Sequence, residues 1–241
     1  MIKKKLNKKK VICIICARGG SKSLKNKNIL KIGGKPLIAY PIIQAKKSKN
    51  IGTVLVTTDS KKIAAIAKKY GAIVPFLRPK ELAKDTTTTE DTLKHALLTY
   101  EKMINFKFDI GVFLSASDFF RKKIWIDQCV TKLFQNKNID SVFSGNLTHK
   151  NFWELKNKNW KRLKESMKKY SSRQFKKPIV REDTGLACAS RADLWRKGKR
   201  IGDRVEIITN NESFSSIDIH DIDDLKLAKS ALKIKGVKNF I

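Results

Sequence analysis

The chain has 241 residues, with 53 Lys and Arg against 22 Asp and Glu and a formal net charge of +31. That length suits one large α/β domain with a substantial core. No run approaches the roughly 18 apolar residues of a membrane span, so no membrane partner is expected. The charge invites a nucleic-acid reading. Lysine, however, is spread over nearly every expected helix and turn instead of gathering on one face among arginines and aromatics, so a nucleic-acid partner is not expected either.

Residues 1–10, MIKKKLNKKK, read as a basic tail ahead of a domain spanning 11–241. Only about six apolar residues follow, too few for the core of a signal peptide, and a cytoplasmic chain is expected. Four cysteines (Cys13, Cys16, Cys129, Cys188) supply neither a disulfide framework nor a paired zinc motif. Cys13 and Cys16, three apart on a strand, face opposite sides.

Val11 to Cys16 is an unbroken apolar run rich in β-branched residues, the pattern of a strand buried on both faces in a parallel sheet. The chain then turns polar through Ala17, Arg18, Gly19, Gly20, Ser21 and Lys22, and on to Lys27 and Asn28. Two glycines let the backbone bend and bring N–H groups to an anion, while Arg18 and Lys22 add fixed charge. A loop of this kind at the carboxyl end of a buried strand reads as a polyphosphate cradle. It is not a Walker A loop, because Cys16 stands where the first glycine belongs, nor a dinucleotide fingerprint, because the third glycine is missing.

Ile32-Gly33-Gly34-Lys35-Pro36 reads as a turn into a helix with Pro at its first position, running to about Ser48. Thr53 to Thr57 reads as a strand, Thr58-Asp59-Ser60 as a polar cap for a helix from Lys61 to Tyr70, and Ala72 to Phe76 as a short strand. A polar loop leads to a helix over Thr89–Ile104, then a buried strand over Asp109–Leu114, a helix over 124–135 and a strand over 139–144. Strands alternating with helices imply a parallel sheet. From 145 to 183 the chain is basic, aromatic (Phe152, Trp153, Trp160, Tyr170) and without clean period, and is expected as an insertion or arm. Strands are expected at Gly185–Ser190, Val205–Thr209 and Ser216–Ile219, and a closing helix from Asp221 to about Lys235.

Three polar clusters then stand at strand ends: the cradle, Asp118, and Ser216-Ile217-Asp218-Ile219-His220-Asp221. Carboxylates facing a polyphosphate cradle suit Mg²⁺, which binds one or two of them together with substrate phosphates. Helix capping is the alternative use of Asp118 and of the acids at 221–224.

In this arrangement the chain resembles the acylneuraminate cytidylyltransferase family. Residues 17–28 resemble its A-R-x-x-S-K-x-x-x-x-K-N signature, and Gly33-Gly34-Lys35-Pro36-Leu37 its turn and helix entry. Val56-Thr57-Thr58-Asp59 resembles its V-S-T-D strand end, Arg78-Pro79-x-Glu81-Leu82-Ala83-x-Asp85 its R-P-x-x-L-A-x-D loop, and 216–221 its closing S-I-D-I-D segment. The resemblance implies a three-layer, mostly parallel Rossmann-like α/β sheet of the nucleotide-diphospho-sugar transferase type, with a dimerisation arm. It implies transfer of CMP from CTP to an acidic 2-keto-3-deoxy sugar, release of pyrophosphate, use of Mg²⁺ and a homodimer. It places Arg18, Lys22 and Asp218 in catalysis. Ala17, Arg18, Gly19, Gly20, Ser21, Lys22, Lys27, Asn28, Arg78 and Asp85 go to the nucleotide, and Ser115, Arg121, Arg173 and Gln174 to the sugar. Asp218, Asp118 and Asp221 go to the metal.

Two departures stand out. The family's Q-P-T-S-P-x-R is here Ser115-Ala116-Ser117-Asp118-Phe119-Phe120-Arg121, which keeps only the arginine and introduces Asp118 as a compensating metal ligand. The closing D-x-D reads Asp218-x-His220, and imidazole is a poor Mg²⁺ ligand. Two further readings fit the same residues: a transferase for another nucleotide and a neutral or amino sugar, and a basic binding protein with a degenerate site.

Overall fold

A computed structural model describes residues 6–167, 172–234 and 236–237. In chain order, β1 (Val11–Cys16) is followed by β2 (Lys31–Ile32), β3 (Lys35–Pro36), α1 (Ala39–Lys47), β4 (Thr53–Thr57) and α2 (Lys61–Lys69). Next come α3 (Thr89–Ile104), β5 (Ile110–Leu114), α4 (Lys123–Gln135), β6 (Ser141–Thr148) and the pair β7 (Trp153–Lys156) and β8 (Asn159–Arg162). The chain closes with β9 (Ile179–Glu182), β10 (Cys188–Arg191), α5 (Ala192–Arg196), β11 (Val205–Asn210) and α6 (Ile222–Ala231).

The main sheet runs β11-β6-β10-β5-β1-β4, with β9 paired on β6. β1 is parallel to both β4 and β5, β11 is parallel to β6, and only β10 and β9 run against their neighbours. Successive β1 residues enter two separate cores. Val11, Cys13 and Ile15 pack under α1, α2, α4 and α6, while Ile12 and Ile14 pack with Leu93 and Leu97 of α3 and Trp195 of α5. This burial on both faces is why the strand needed no polar alternation. The result is the expected three-layer α/β architecture. The chain leaves β1 for β4 on one side and returns to β5 on the other, so the β1/β5 junction is the sheet's switch point, where ligands bind in open α/β sheets.

Several local expectations differ. Pro36 does not start a helix: Ile32 pairs with Lys35 across Gly33 and Gly34, whose φ values of +53° and +82° make the left-handed hairpin turn that glycine allows. The helix begins three residues later. Ala72–Phe76 contributes one bridge, Leu55 to Ile73, instead of a strand. Ser216–Ile219 is not a strand either; it follows a 3-10 turn over Ser213–Ser216 and runs as a loop into α6. Segment 145–183 is more regular than its sequence suggests, since β9 joins the main sheet and β7–β8 form a separate exposed hairpin. Tyr170 and the expected helix end at Lys235 lie outside the described residues. Of the basic stretch 1–10, residues 8–10 form a turn capped by Asn7, and Leu6 packs on the core. All four cysteines are free. Among the described residues no helix is long and apolar enough to cross a membrane.

Candidate active site

Beyond Cys16, the Ala17 N–H still pairs with the Thr57 carbonyl, so the cradle leaves the sheet at the switch point. Asn28 braces it by donating to the Arg18 carbonyl (3.0 Å). The Gly19 N–H does not face an open anion site as expected; it donates to Asp59 Oδ1 (2.8 Å). Asp59 thus ties the cradle to the end of β4, and Arg18 and Lys22 are left to give the loop its charge. They converge on one carboxylate: Asp85 lies 2.7 Å from Arg18 and 2.5 Å from Lys22. Hydrogen bonds from Lys22, and then Arg18, hold its carboxyl below the usual range.

A cleft of about 320 Å³ opens beside this ion cluster. Arg18, Lys27, Asn28, Arg78 and Asp85 line it, whereas Ala17, Gly19, Gly20, Ser21 and Lys22 are not among its lining residues; Lys22 is joined to it through its ion pair with Asp85. Arg78 is the most demanding wall residue. Its side chain is 4% exposed, one guanidinium nitrogen donates to Thr92 Oγ1 (3.1 Å), and Nε and Nη2 are buried without a hydrogen-bond partner. Asp59 stands 4.0 Å away, and burial lowers the Arg78 pKa. A buried guanidinium with two free donors calls for an acceptor in the cleft. Thr87–Thr89 at the start of α3 also line it, and Thr88 caps that helix. The run of threonines after Asp85 is the sequence signal for this wall, since it marks a helix N-terminus, a favoured position for anions.

Across a shared wall of Phe113, Ser115 and Ser117 lies a second cavity of about 440 Å³. Asp118 and Asp218 both line it. A Cβ at Gly185 would overlap the Asp118 carboxylate, so glycine there makes room for the acid. Burial, with the Asp218 charge beside it, pushes the Asp118 carboxyl up to about 6. Asp218 receives His220 Nε2 on Oδ2 (2.7 Å), while its Oδ1 is buried without a hydrogen-bond partner. Lys27 stands between the two spaces: it lines the first, donates to the Ile219 carbonyl (3.0 Å), and lies in the field of both acids.

The remaining site residues divide. Ser115 lines both spaces. Arg121, expected at the sugar, lines neither: it is fully buried and donates to Gln44 Oε1 (3.1 Å) and to the Ser115 and Gly185 carbonyls, which ties the loop together. Arg173 lines a third cavity of about 510 Å³ beside Lys176 and His149, which among the described residues shares Ser216 with the second. Gln174 is exposed and lines none of the three. Asp221, expected at the metal, lines neither space and caps α6 by accepting from the Asp223 and Asp224 N–H groups, in a capping box with Asp224. Among the described residues no group of three or more His, Cys, Asp or Glu is placed to hold a metal.

Two arginines of the second cavity carry no local sequence signal. Arg181 is paired with Asp183 (2.7 Å), and Arg200 donates to Thr184 Oγ1 (2.9 Å) with Glu90 and Glu182 at 3.3 and 3.6 Å. Both reach the site only through the long-range pairing of β9 and the turn after α5.

A model of the cytidylyltransferase family matches residues 12–187 of the chain. The post-translational flagellin modification protein B of Campylobacter coli is 32% identical over 230 residues, covering 95% of this chain and 97% of that one. The CMP-N,N'-diacetyllegionaminic acid synthase of Campylobacter jejuni is 47% identical over 107 residues, 44% of this chain and 46% of that enzyme. In fold, the chain is similar to CMP:2-keto-3-deoxy-manno-octonic acid synthetase in complex with CTP, at a TM-score of 0.67 and 14% identity over 92% of this chain and 98% of that one.

The raised Asp118 carboxyl is a stability cost with a definite pH dependence. Its ionised form is disfavoured in the fold, so the cost is absent below the ordinary value near 3.8 and grows as pH rises through about 6. At ~1.36 kcal/mol per pH unit this is on the order of 2–3 kcal/mol by pH 8. Urea unfolding of Asp118→Asn at pH 4 and pH 8 is expected to show a gain over wild type at pH 8 that is lost at pH 4. Equal differences at both values would contradict this electrostatic picture.

Proposed function

Because the chain belongs to the cytidylyltransferase family and is a CTP-dependent nucleotidyltransferase, we propose that it transfers CMP from CTP to a sialic-acid-like 2-keto-3-deoxy sugar acid, with release of pyrophosphate. The observation that carries this reading is the shared wall: a cationic cleft and a carboxylate-bearing cavity meet at Phe113, Ser115 and Ser117. The first has the charge for a triphosphate and the second the room for an acceptor. The likeness to the CMP-N,N'-diacetyllegionaminic acid synthase of Campylobacter jejuni supports an acid of the legionaminic kind as that acceptor.

In this reading the nucleoside lies in the first cleft, where the free Arg78 donors meet its oxygens. Arg18 and Lys22 exchange Asp85 for the phosphates. A sugar hydroxyl gives its proton to water as its oxygen forms a bond to the α-phosphorus, while the bond from that phosphorus to the bridging oxygen of the β-phosphate breaks and pyrophosphate takes that electron pair. Arg18 and Lys22 neutralise charge that builds on the departing pyrophosphate. Lys27, held by the Ile219 carbonyl at the boundary of the two spaces, is placed beside the α-phosphate. In the second cavity Arg181 and Arg200 are the cations nearest the acceptor, and a guanidinium matches a sugar carboxylate.

The donor set suits Mg²⁺. Asp118 and Asp218 offer only oxygens, and the buried unpartnered Oδ1 of Asp218 is an atom that a cation would satisfy. When bound, the ion supplies Lewis-acid stabilisation of phosphate charge. The arm supports a homodimer: Trp153, Leu155, Trp160 and Leu163 are each more than half exposed on or beside the β7–β8 hairpin, an apolar group of the kind that marks an interface.

Pyrophosphate release from CTP and N,N'-diacetyllegionaminic acid is expected to fall by about 10²–10³ in Lys22→Ala and in Asp218→Asn. Unimpaired turnover in both would remove the roles assigned to them. Sedimentation is expected to give a dimer for the wild type and a monomer for Trp160→Lys; an unchanged dimer would exclude the arm as its contact.

A further inference from the structure

Where the family pattern has a second carboxylate after Asp218, this chain has His220. Its Nε2 lies 2.7 Å from Asp218 Oδ2. The bond leaves the two oxygens of one carboxylate in different states: Oδ2 is held by the imidazole, and Oδ1 is buried with no partner.

The main chain that carries the imidazole is anchored. The His220 backbone N–H donates to Asp224 Oδ2 (2.8 Å), and the His220 carbonyl accepts from Ser23 Oγ (2.7 Å). Asp224 belongs to the capping box of α6, and Ser23 belongs to the cradle. Lys27 holds the intervening Ile219 carbonyl. The backbone at 219–220 is therefore pinned between the first loop and the last helix, and the ring reaches Asp218 from that anchored main chain.

We propose that His220 is a positioning residue for a divalent cation held by Asp118 and Asp218: it clamps Oδ2 of Asp218 and so fixes Oδ1 as the cation's ligand. The ring is not a ligand in its own right. Nε2 lies at hydrogen-bond distance from Asp218 Oδ2, and a nitrogen that donates there carries a proton and has no lone pair for a metal. Histidine-metal sites usually place the imidazole on the metal and a carboxylate behind it; here the order is inverted, with the carboxylate in front and the imidazole behind. The inverted order keeps an all-oxygen set for a hard cation without a second acid at position 220, and Asp118 supplies the other oxygen donor. This inference rests on the reading of Asp118 and Asp218 as the cation pair.

The test is a titration of the full-length chain with Mn²⁺ alone, followed by the electron paramagnetic resonance signal of the free ion. Mn²⁺ accepts the same oxygen donors as Mg²⁺. Loss of a residue that holds a ligand weakens binding by about 10–100-fold, and His220→Ala is expected to do so. His220→Gln places an amide N–H where Nε2 stood and is expected to stay within about threefold of wild type. Because the His220 side chain is 69% exposed, neither change is expected to move the metal-free unfolding midpoint. Wild-type affinity in His220→Ala, with binding lost in Asp218→Asn, would overturn the positioning role while leaving the cation pair intact. Equal loss in His220→Gln and His220→Ala would show that the imidazole itself is required, which also overturns it. No Mn²⁺ binding by the wild type, or binding that Asp218→Asn leaves unchanged, would remove the cation pair and this inference with it.

Discussion

Two hydrogen bonds hold the ends of the chain to one site: Ser23 Oγ to the His220 carbonyl and Lys27 Nζ to the Ile219 carbonyl, across 197 and 192 positions of sequence. Without them the cradle would be a charged loop, and Asp218 an acid ahead of the last helix. The sheet makes the meeting possible. Its switch point opens the carboxyl ends of β1 and β5 side by side, and α6 packs Leu225, Ala228 and Ala231 under the same core as β1. That packing brings the segment before the helix back to the first loop.

Electrostatics then decides what this junction is good for. The first cleft gathers Arg18, Lys27 and Arg78, with Lys22 paired to its Asp85, and the second gathers Asp118, Asp183 and Asp218. Neither set is fully paired from within: Arg78 keeps two buried donors and Asp218 one buried acceptor without partners. Unsatisfied buried groups work against stability, and a fold that keeps them beside a cleft holds them ready for a ligand. The opposite case is Arg121, equally charged and more deeply buried, whose partners are the loop's own carbonyls and Gln44. It holds the wall together through both terminal nitrogens, and although its Nε has no hydrogen-bond partner, the side chain lines neither cavity.

Much of the fold was legible because the signals were local. The β-branched run at 11–16, the TVLVT strand at 53–57 and the helix from Thr89 to Ile104 fall where apolar pattern and caps place them. Pro36 misled because proline suits both a first helical turn and a short edge strand, and the Gly33-Gly34 hairpin decided between them. Ser216–Ile219 alternates like a strand, but its backbone groups are claimed by the cradle and by Ser117. The cradle cations and Arg78 were legible as motifs, whereas the geometry of Asp59 was not, since its bond to Gly19 crosses 40 positions. Arg181 and Arg200 reach the site through strand pairing and a turn that no local pattern announces. Arg121 sat in a motif next to functional positions, and only its burial separates support from contact.

The central claim is that the cradle and the segment around Asp218 form one nucleotide and cation site. A crystal structure of the protein with CTP and Mg²⁺ tests it most directly. The account predicts the triphosphate against Arg18 and Lys22 in place of Asp85, and a cation touching both Asp118 and Asp218. Phosphates bound elsewhere, or a cation that leaves either carboxylate untouched, would contradict it.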